Sequence, residues 1–352
     1  MYFLGTSPPN FGSKIMENIQ ELKKLLSIPK DIVITSHRNP DGDAIGSSLG
    51  LQHYLEQLGH KVTVAMPSEF PGFLGWLPKA KEILIYDISQ EEVKEFLEKS
   101  DIIFSLDFNS LERIDKMGEI IAPLKCNKVL IDHHLYPEPF ADFMMSDTSA
   151  SSTSEMVHDF IRQLEDLDKI TVEVAECLFT GILTDTGSFK YATSPKLFRI
   201  VGDLLELGVN DVKIQDHVFN CLDEKHLRLQ GHVLNNRMEV LHEYKTAIIC
   251  LTKSDYERYN IQRGDTEGLV NLLLQMKDVV VAVFIHEQPT ITKISLRSKG
   301  DFSVQDIARK HFRGGGHKNA SGGYSYIGLR PTVKKFKSIL PEYKEKLLNA
   351  KV

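Results

Sequence analysis

The chain has 352 residues, 42% of them hydrophobic and 26% charged, with a formal net charge of −6. That length exceeds the roughly 100–200 residues of one ordinary domain and predicts two. The acidic balance argues against a protein that coats long nucleic acid nonspecifically, and no apolar run reaches the roughly 18 residues of a membrane span.

Residues 1–13 carry Gly5, Pro8, Pro9 and Gly12 and lack the basic start and continuous apolar core of a signal peptide. They read as a flexible extension outside the fold. A buried strand is predicted over residues 32–35, and a helix over 43–58 stopped by Gly59. A second strand covers 61–66, a helix follows at 90–98, and strands return at 102–106 and 129–131. Strands separated by helices predict a parallel sheet covered on both faces. Helices then dominate over 153–164, 171–183, 195–207, 212–219 and 224–236.

A different texture starts near Met238. Residues 239–241 and 246–251 read as a hairpin, and 279–285 and 292–298 as two strands around the turn at Gln288 and Pro289. Helices are expected at 266–275 and 304–310, and near 335–348 a Lys-rich helix with a solvated face. The fold class is therefore α/β. An N-terminal parallel-sheet domain (14–208) precedes a helical linker (209–236) and a smaller mixed α/β domain (237–352). None of the four cysteines, Cys126, Cys177, Cys221 and Cys250, sits in a C-x-x-C pair. This suits free thiols in a reducing cytoplasm.

Ligands of open parallel sheets bind at the carboxyl ends of the strands. The first strand runs into His37, Arg38, Asn39, Pro40, Asp41, Gly42 and Asp43; the strand 102–106 ends at Asp107; the strand 129–131 ends at Asp132, His133 and His134. The helical run 177–184 delivers Asp185. A single carboxylate after a strand is unremarkable, because Asp caps helices well. Three strand ends tipped with Asp or His are harder to dismiss. Five carboxylates in one cleft would repel one another unless cations neutralised them. Only oxygen and imidazole donors are on offer, which favours Mn²⁺, with Mg²⁺, Co²⁺ or Zn²⁺ as alternatives. Two such ions about 3.5–4 Å apart would suit in-line attack on phosphorus.

The run from His37 to Ser47, then Asp107, then Asp132-His133-His134, then Thr184-Asp185-Thr186-Gly187 resembles the four motifs of the DHH phosphoesterase superfamily. The later run from Arg313 to Gly322, with Gly314-Gly315-Gly316-His317 at its centre, resembles the glycine-rich motif of the associated C-terminal domain. The length and this second motif are most similar to the nanoRNase/pAp phosphatase branch. The resemblance implies one metal held by His37, Asp41 and Asp107 and another by Asp43, Asp107, His133 and Asp185, with Asp107 bridging. It also implies that Asp132 orients an imidazole, that His134 faces the scissile phosphate, and that Asn39 supports the site or touches substrate.

The glycine loop, with Arg313 and Lys318 beside it, would hold a far phosphate or nucleotide, since exposed backbone N–H groups next to cations bind anions. Arg297 could add a bidentate contact. The active site would then be the cleft between the two domains. The remaining helical histidines, His53, His158, His217, His226 and His232, read as surface or core residues, and Trp76 as a loop anchor.

The expected function is hydrolysis of very short oligoribonucleotides, linear dinucleotides or the 3′-phosphate of adenosine 3′,5′-bisphosphate. The expected partners are these nucleotides and a second copy in a homodimer, with neither long nucleic acid nor membrane. An inorganic pyrophosphatase is disfavoured because its basic Ser-Arg-Lys-Lys-type signature is missing. A single-strand exonuclease of the same superfamily would normally be longer and carry basic grooves, and a membrane-type cyclic-dinucleotide phosphodiesterase would need spans. A non-enzymatic nucleotide sensor would be expected to have lost ligands.

Overall fold

The computed structural model describes residues 16–351 except 263 and 267, so the extension expected at 1–13 lies outside the described residues. The chain divides into two compact units, Met1–Cys221 and Leu222–Val352.

In the first unit, α1 (Ile19–Leu25) precedes β1 (Asp31–Ser36), α2 (Gly42–Gln57), β2 (Lys61–Met66), β3 (Leu84–Ile85), α3 (Gln90–Lys99) and β4 (Ile102–Leu106). There follow α4 (Lys116–Ile121), β5 (Asn127–Asp132), β6 (Phe143–Ser146), α5 (Thr153–Gln163), α6 (Val172–Asp185), α7 (Pro195–Glu206) and α8 (Asp211–Phe219). The six strands form one parallel sheet in the order β3-β2-β1-β4-β5-β6. The winding direction reverses between β1 and β4, which opens a crevice at their carboxyl ends. His37 follows β1 and Asp107 follows β4, so the strand order alone brings these two residues to that crevice.

Period-2 alternation splits each central strand between two cores. Ile32, Ile34, Ile102, Phe104, Leu106, Val129 and Ile131 face the cluster under α2, α5 and α6. Val33 and Ile103 face the cluster with Val93, Leu97, Phe108 and Met117. Trp76 anchors its loop, as expected, by stacking on His217 with ring centroids 4.6 Å apart.

Helices α2 and α6 touch through glycine: a Cβ on Gly46 would lie 2.5 Å from the Cys177 carbonyl and 2.8 Å from the Gly181 nitrogen. Backbone cannot yield as a side-chain tip can, so Gly46→Ala should destabilise the protein by about 3 kcal/mol, as overpacking does. Gly202, in α7, has nothing within 4 Å of its built Cβ, and Gly202→Ala should stabilise by up to about 1 kcal/mol through helix propensity. Urea midpoints of the two variants should therefore move in opposite directions.

The second unit contains α9 (Glu224–His232), β7 (Met238–Leu241), β8 (Thr246–Leu251), α10 (Lys253–Arg258), α11 (Leu269–Leu273), β9 (Val281–Glu287) and β10 (Thr292–Ser298). It closes with α12 (Val304–His311), β11 (Gly315–Gly316), β12 (Ala320–Ser325) and α13 (Leu329–Leu348). Its sheet runs β11-β12-β10-β9-β8-β7, antiparallel except for the β8–β9 pair.

Several boundaries depart from the sequence expectation. The helix expected over 224–236 ends at His232 and widens into a π-helical turn over Val233–Arg237. The buried Asp255 carboxylate accepts hydrogen bonds from both His232 and Arg237 there, so a tertiary contact reshapes the helix end. The helix expected over 266–275 is only Leu269–Leu273, started by left-handed Gly268 (φ 77°). Strands β6 and β12 were not expected. β6 has four residues, and β12 contains Gly322 and Gly323, so neither offers a full period of alternation.

Candidate metal centre

The segment after β1 is built to turn two carboxylates and one imidazole inward. Arg38 N–H donates to the Arg113 carbonyl (2.8 Å), while the Arg38 guanidinium grips Asp87 through two nitrogens (2.6 and 3.2 Å) and reaches Asp115 (3.1 Å). Asn39 takes left-handed backbone (φ 57°), and its N–H donates to Ser68 Oγ (2.9 Å). His37 Nδ1 lies 3.0 Å from the Arg38 carbonyl, which assigns a proton to Nδ1 and makes Nε2 the nitrogen that a metal would take once the second proton leaves. Asp41 caps α2 with Oδ1, accepting from the N–H groups of Asp43 (3.0 Å) and Ala44 (3.1 Å), while Oδ2 stands 4.0 Å from His37 Nε2. Gly42 is required, because a Cβ there would overlap Thr184 at 2.4–2.7 Å.

Asp43 sits in the first turn of α2, buried, and accepts the N–H groups of Thr153 (2.6 Å) and Ser154 (2.9 Å) at the start of α5. Asp107 holds the centre in a left-handed conformation (φ 62°) that costs a non-glycine residue energy and is held by its surroundings. Its N–H donates to the Ile131 carbonyl (3.1 Å), and Oδ1 accepts the Thr153 hydroxyl (3.0 Å). One Asp107 oxygen lies 3.4 Å from His37 Nε2 and the other 3.4 Å from His133 Nε2. His133 Nε2 is also 3.6 Å from Asp185 at the end of α6. Asp132, wholly buried, accepts His134 Nδ1–H at 2.7 Å.

Within the first unit, donor atoms of three groups each fit within 4.8 Å: His37, Asp41 and Asp107; Asp43, Asp107 and His133; Asp107, Asp132 and His134. Burial opposes the charge on His37, yet the hydrogen bond with Asp107 and the charges of Asp41 and Asp107 push its pKa up to about 9. His133 goes well above its ordinary value against the same burial, through Asp107 and Asp185. Burial and the charges of Asp107 and Asp185 hold Asp43 well above the carboxylate range. Burial, aided by Asp41 and Asp107, lifts Asp185 to about 7. Asp107 moves the other way: burial would raise it, but the imidazoles of His133 and His37 hold it well below. A cation bound here would therefore have to displace protons. The cluster's oxygen and imidazole donors are those of a divalent-metal site.

Two supports were missed from the sequence. Thr153 and Ser154 tie Asp43 and Asp107 to the start of α5, and Arg38 clamps the loop between His37 and Asp41. The available signal was the hydroxyl-rich run Ser151-Ser152-Thr153-Ser154 ahead of a helix, a capping composition.

In the second unit, Gly314, Gly315 and Gly316 lie along the sheet edge with Gly315 paired to Gly322. A Cβ on Gly314 would overlap the Gly322 carbonyl at 1.9 Å, and Gly316 takes φ 133°. His317 N–H donates to the Ala320 carbonyl (2.8 Å), and Arg297 pairs in register with Ala320, so these residues share one end of the sheet.

A model of the DHH family N-terminal domain matches residues 31–182, and one of the DHHA1 domain matches residues 244–345. The chain is 33% identical to the bifunctional oligoribonuclease and PAP phosphatase NrnA of Thermus thermophilus, over 90% of each chain. It is 28% identical to the protein of the same name from Bacillus subtilis, over 87% of this chain and 93% of that one. The crystal structure of an exopolyphosphatase-related protein from Bacteroides fragilis superimposes with a TM-score of 0.91 at 42% identity, covering 96% of this chain and 99% of that one.

Proposed function

Because the chain belongs to the DHH family of metal-dependent phosphoesterases and carries the DHHA1 domain, we propose that it hydrolyses very short oligoribonucleotides and linear dinucleotides and removes the 3′-phosphate of adenosine 3′,5′-bisphosphate. The observation that carries this reading is the two-sided Asp107 carboxylate, with each oxygen 3.4 Å from a different imidazole. A carboxylate so placed would be shared between two ions. The reading assigns His37, Asp41 and Asp107 to one divalent ion and Asp43, Asp107, His133 and Asp185 to the other, with Mn²⁺ preferred.

When bound, such a pair supplies Lewis-acid polarisation of the phosphate and acidifies water. The protein's own groups do the positioning. Thr153 fixes one Asp107 oxygen by its hydroxyl, and the first amides of α5 hold Asp43. Asp132 takes the Nδ1–H of His134 and fixes the orientation of that ring. The glycine hairpin with His317 and Arg297 provides backbone N–H groups and cations for a second phosphate. Cytoplasmic action is supported by four cysteines without a disulfide among the described residues, and no described helix is long and apolar enough to cross a membrane.

A ladder of labelled RNAs from two nucleotides to several tens tests this reading, alongside adenosine 3′,5′-bisphosphate and pyrophosphate, at two salt concentrations and with chelator. We expect kcat/KM to be highest at two or three nucleotides and to fall with length, with a shallow salt dependence reflecting one or two phosphate contacts. Chelator should abolish turnover. Rates that climb with length, with processive shortening, would establish the exonuclease alternative instead.

A further inference from the structure

The chain leaves α6 in an unusual way. Gly187, Ser188 and Phe189 are consecutive left-handed residues (φ 56°, 59° and 61°), and Ala192 is a fourth nearby (φ 51°). A helix normally ends with a single left-handed residue, usually glycine. Two further non-glycine residues in that region carry a steric cost each. Packing and hydrogen bonds enforce the turn. Ser188 N–H donates to the Leu183 carbonyl (2.9 Å), Phe189 N–H to Thr186 Oγ1 (3.0 Å), and the N–H groups of Lys190 and Tyr191 both to the Thr186 carbonyl (2.9 Å). The Phe189 ring is set edge-on to Phe179 and lies against Phe198, with centroids 6.0 and 5.9 Å apart.

This left-handed turn folds Tyr191 back onto Gly187, two residues past Asp185. Its ring lies so close to Gly187 that a Cβ there would meet two ring atoms at 3.0 Å. The ring is therefore fixed two residues past Asp185 while 44% of Tyr191 stays open to solvent. Lys190 places its ammonium 5.3 Å from the same ring centroid. Strained backbone that neighbouring structure over-determines collects at functional sites. A pinned, solvent-facing aromatic ring with an adjacent cation is the chemistry that binds single-stranded nucleotides, by stacking on the base and pairing with the phosphate.

We propose that Tyr191 is the stacking platform for a nucleobase of the substrate, with Lys190 holding the adjoining phosphate. The strained turn at residues 187–189 would hold that platform against Gly187, two residues past the candidate ligand Asp185. The inference rests on the nucleotide-hydrolase reading and adds to it a base-recognising residue in the first unit. It makes Tyr191 a determinant of KM for base-bearing substrates, with no part in holding metal.

The full-length protein loaded with manganese would be compared as wild type, Tyr191→Leu and Tyr191→Phe. Two substrates serve: adenosine 3′,5′-bisphosphate, and ribose 3,5-bisphosphate lacking the base. Stacking strength sets the expected scale, so Tyr191→Leu should raise KM for the adenosine substrate roughly tenfold or more, with kcat within about twofold. The base-free substrate should be unaffected, Tyr191→Phe should match wild type, and manganese content should be equal in all three. AMP binding, measured by calorimetry, should weaken in Tyr191→Leu by the same factor. Equal losses on both substrates, a lowered manganese content or an unchanged AMP affinity would each overturn the proposal. If wild type hydrolysed neither substrate, the functional reading would fail, and the AMP affinities alone would still decide the role of Tyr191.

Discussion

Asp107→Asn should lower kcat/KM by at least roughly a thousandfold and strip the protein of bound divalent metal, while the chain still folds. Asparagine is the informative substitution because Asp107 adopts φ 62°, a region that Asn tolerates and Ala does not. The backbone is therefore kept, and only the charge is removed. The loss should be large because this carboxylate faces two imidazoles at 3.4 Å and belongs to each of the three donor groups formed within the first unit. Folding should survive because the effects on the metal-free cluster oppose one another. His37 and His133 lose their carboxylate partner, but Asp43 and Asp185 lose a neighbouring negative charge. Metal content by elemental analysis and turnover on a dinucleotide would be measured on the same preparation. An Asp107→Asn protein with full metal content, or with near wild-type turnover, would refute the shared-ligand arrangement.

Metal affinity should depend steeply on pH, and the direction follows from the protons the free cluster holds. His37 has its pKa raised to about 9, against the opposing effect of burial, by Asp107 and Asp41, so at pH 7 the metal-free protein carries a proton there. A metal needs the neutral ring, so binding must expel that proton. Each proton released costs roughly tenfold in apparent affinity per pH unit below the group's pKa. Affinity at the His37 position should therefore rise with pH up to about 9 and level off above it. Between pH 9 and pH 6 the loss should reach roughly a thousandfold. The position with His133 and Asp185 should follow the same sign, since burial is outweighed at His133 by its carboxylates, and Asp185 is lifted to about 7. Manganese titrations in buffers of different ionisation heat count the protons directly. Binding that is flat from pH 6 to pH 9, with no proton released, would remove the cluster from consideration as a metal site.

The donor residues were readable in the sequence because each follows a recognisable local element. Asp107 ends the apolar run 102–106, and Asp132 ends the run 129–131, so both were placed at strand ends by alternation and length alone. The supports were less legible. Thr153 lies 110 residues from Asp43 in sequence and 46 from Asp107. Nothing local marks a threonine as a partner of carboxylates on two other elements. Arg38 was visible as a residue, but its grip on Asp87 and Asp115 joins loops from separate crossovers. The left-handed turn after α6 was hidden for another reason. Ser188 and Phe189 have no preference for that conformation, which only the packing of Phe189 and the hydrogen bonds from Thr186 impose.

The sequence by itself determined the alternation of strands and helices, the parallel first sheet and the identity of the donor residues. These follow from periodicities of two and 3.6 and from residue types at element ends, which are short-range properties of the chain. Only the tertiary structure decided that β1 and β4 are neighbours at the reversal of the sheet. It also decided which Asp107 oxygen faces which imidazole, and that Tyr191 is turned back over Gly187. Each of those outcomes depends on contacts between residues far apart in the chain, whose energies exist only once the sheet and its covering helices have formed.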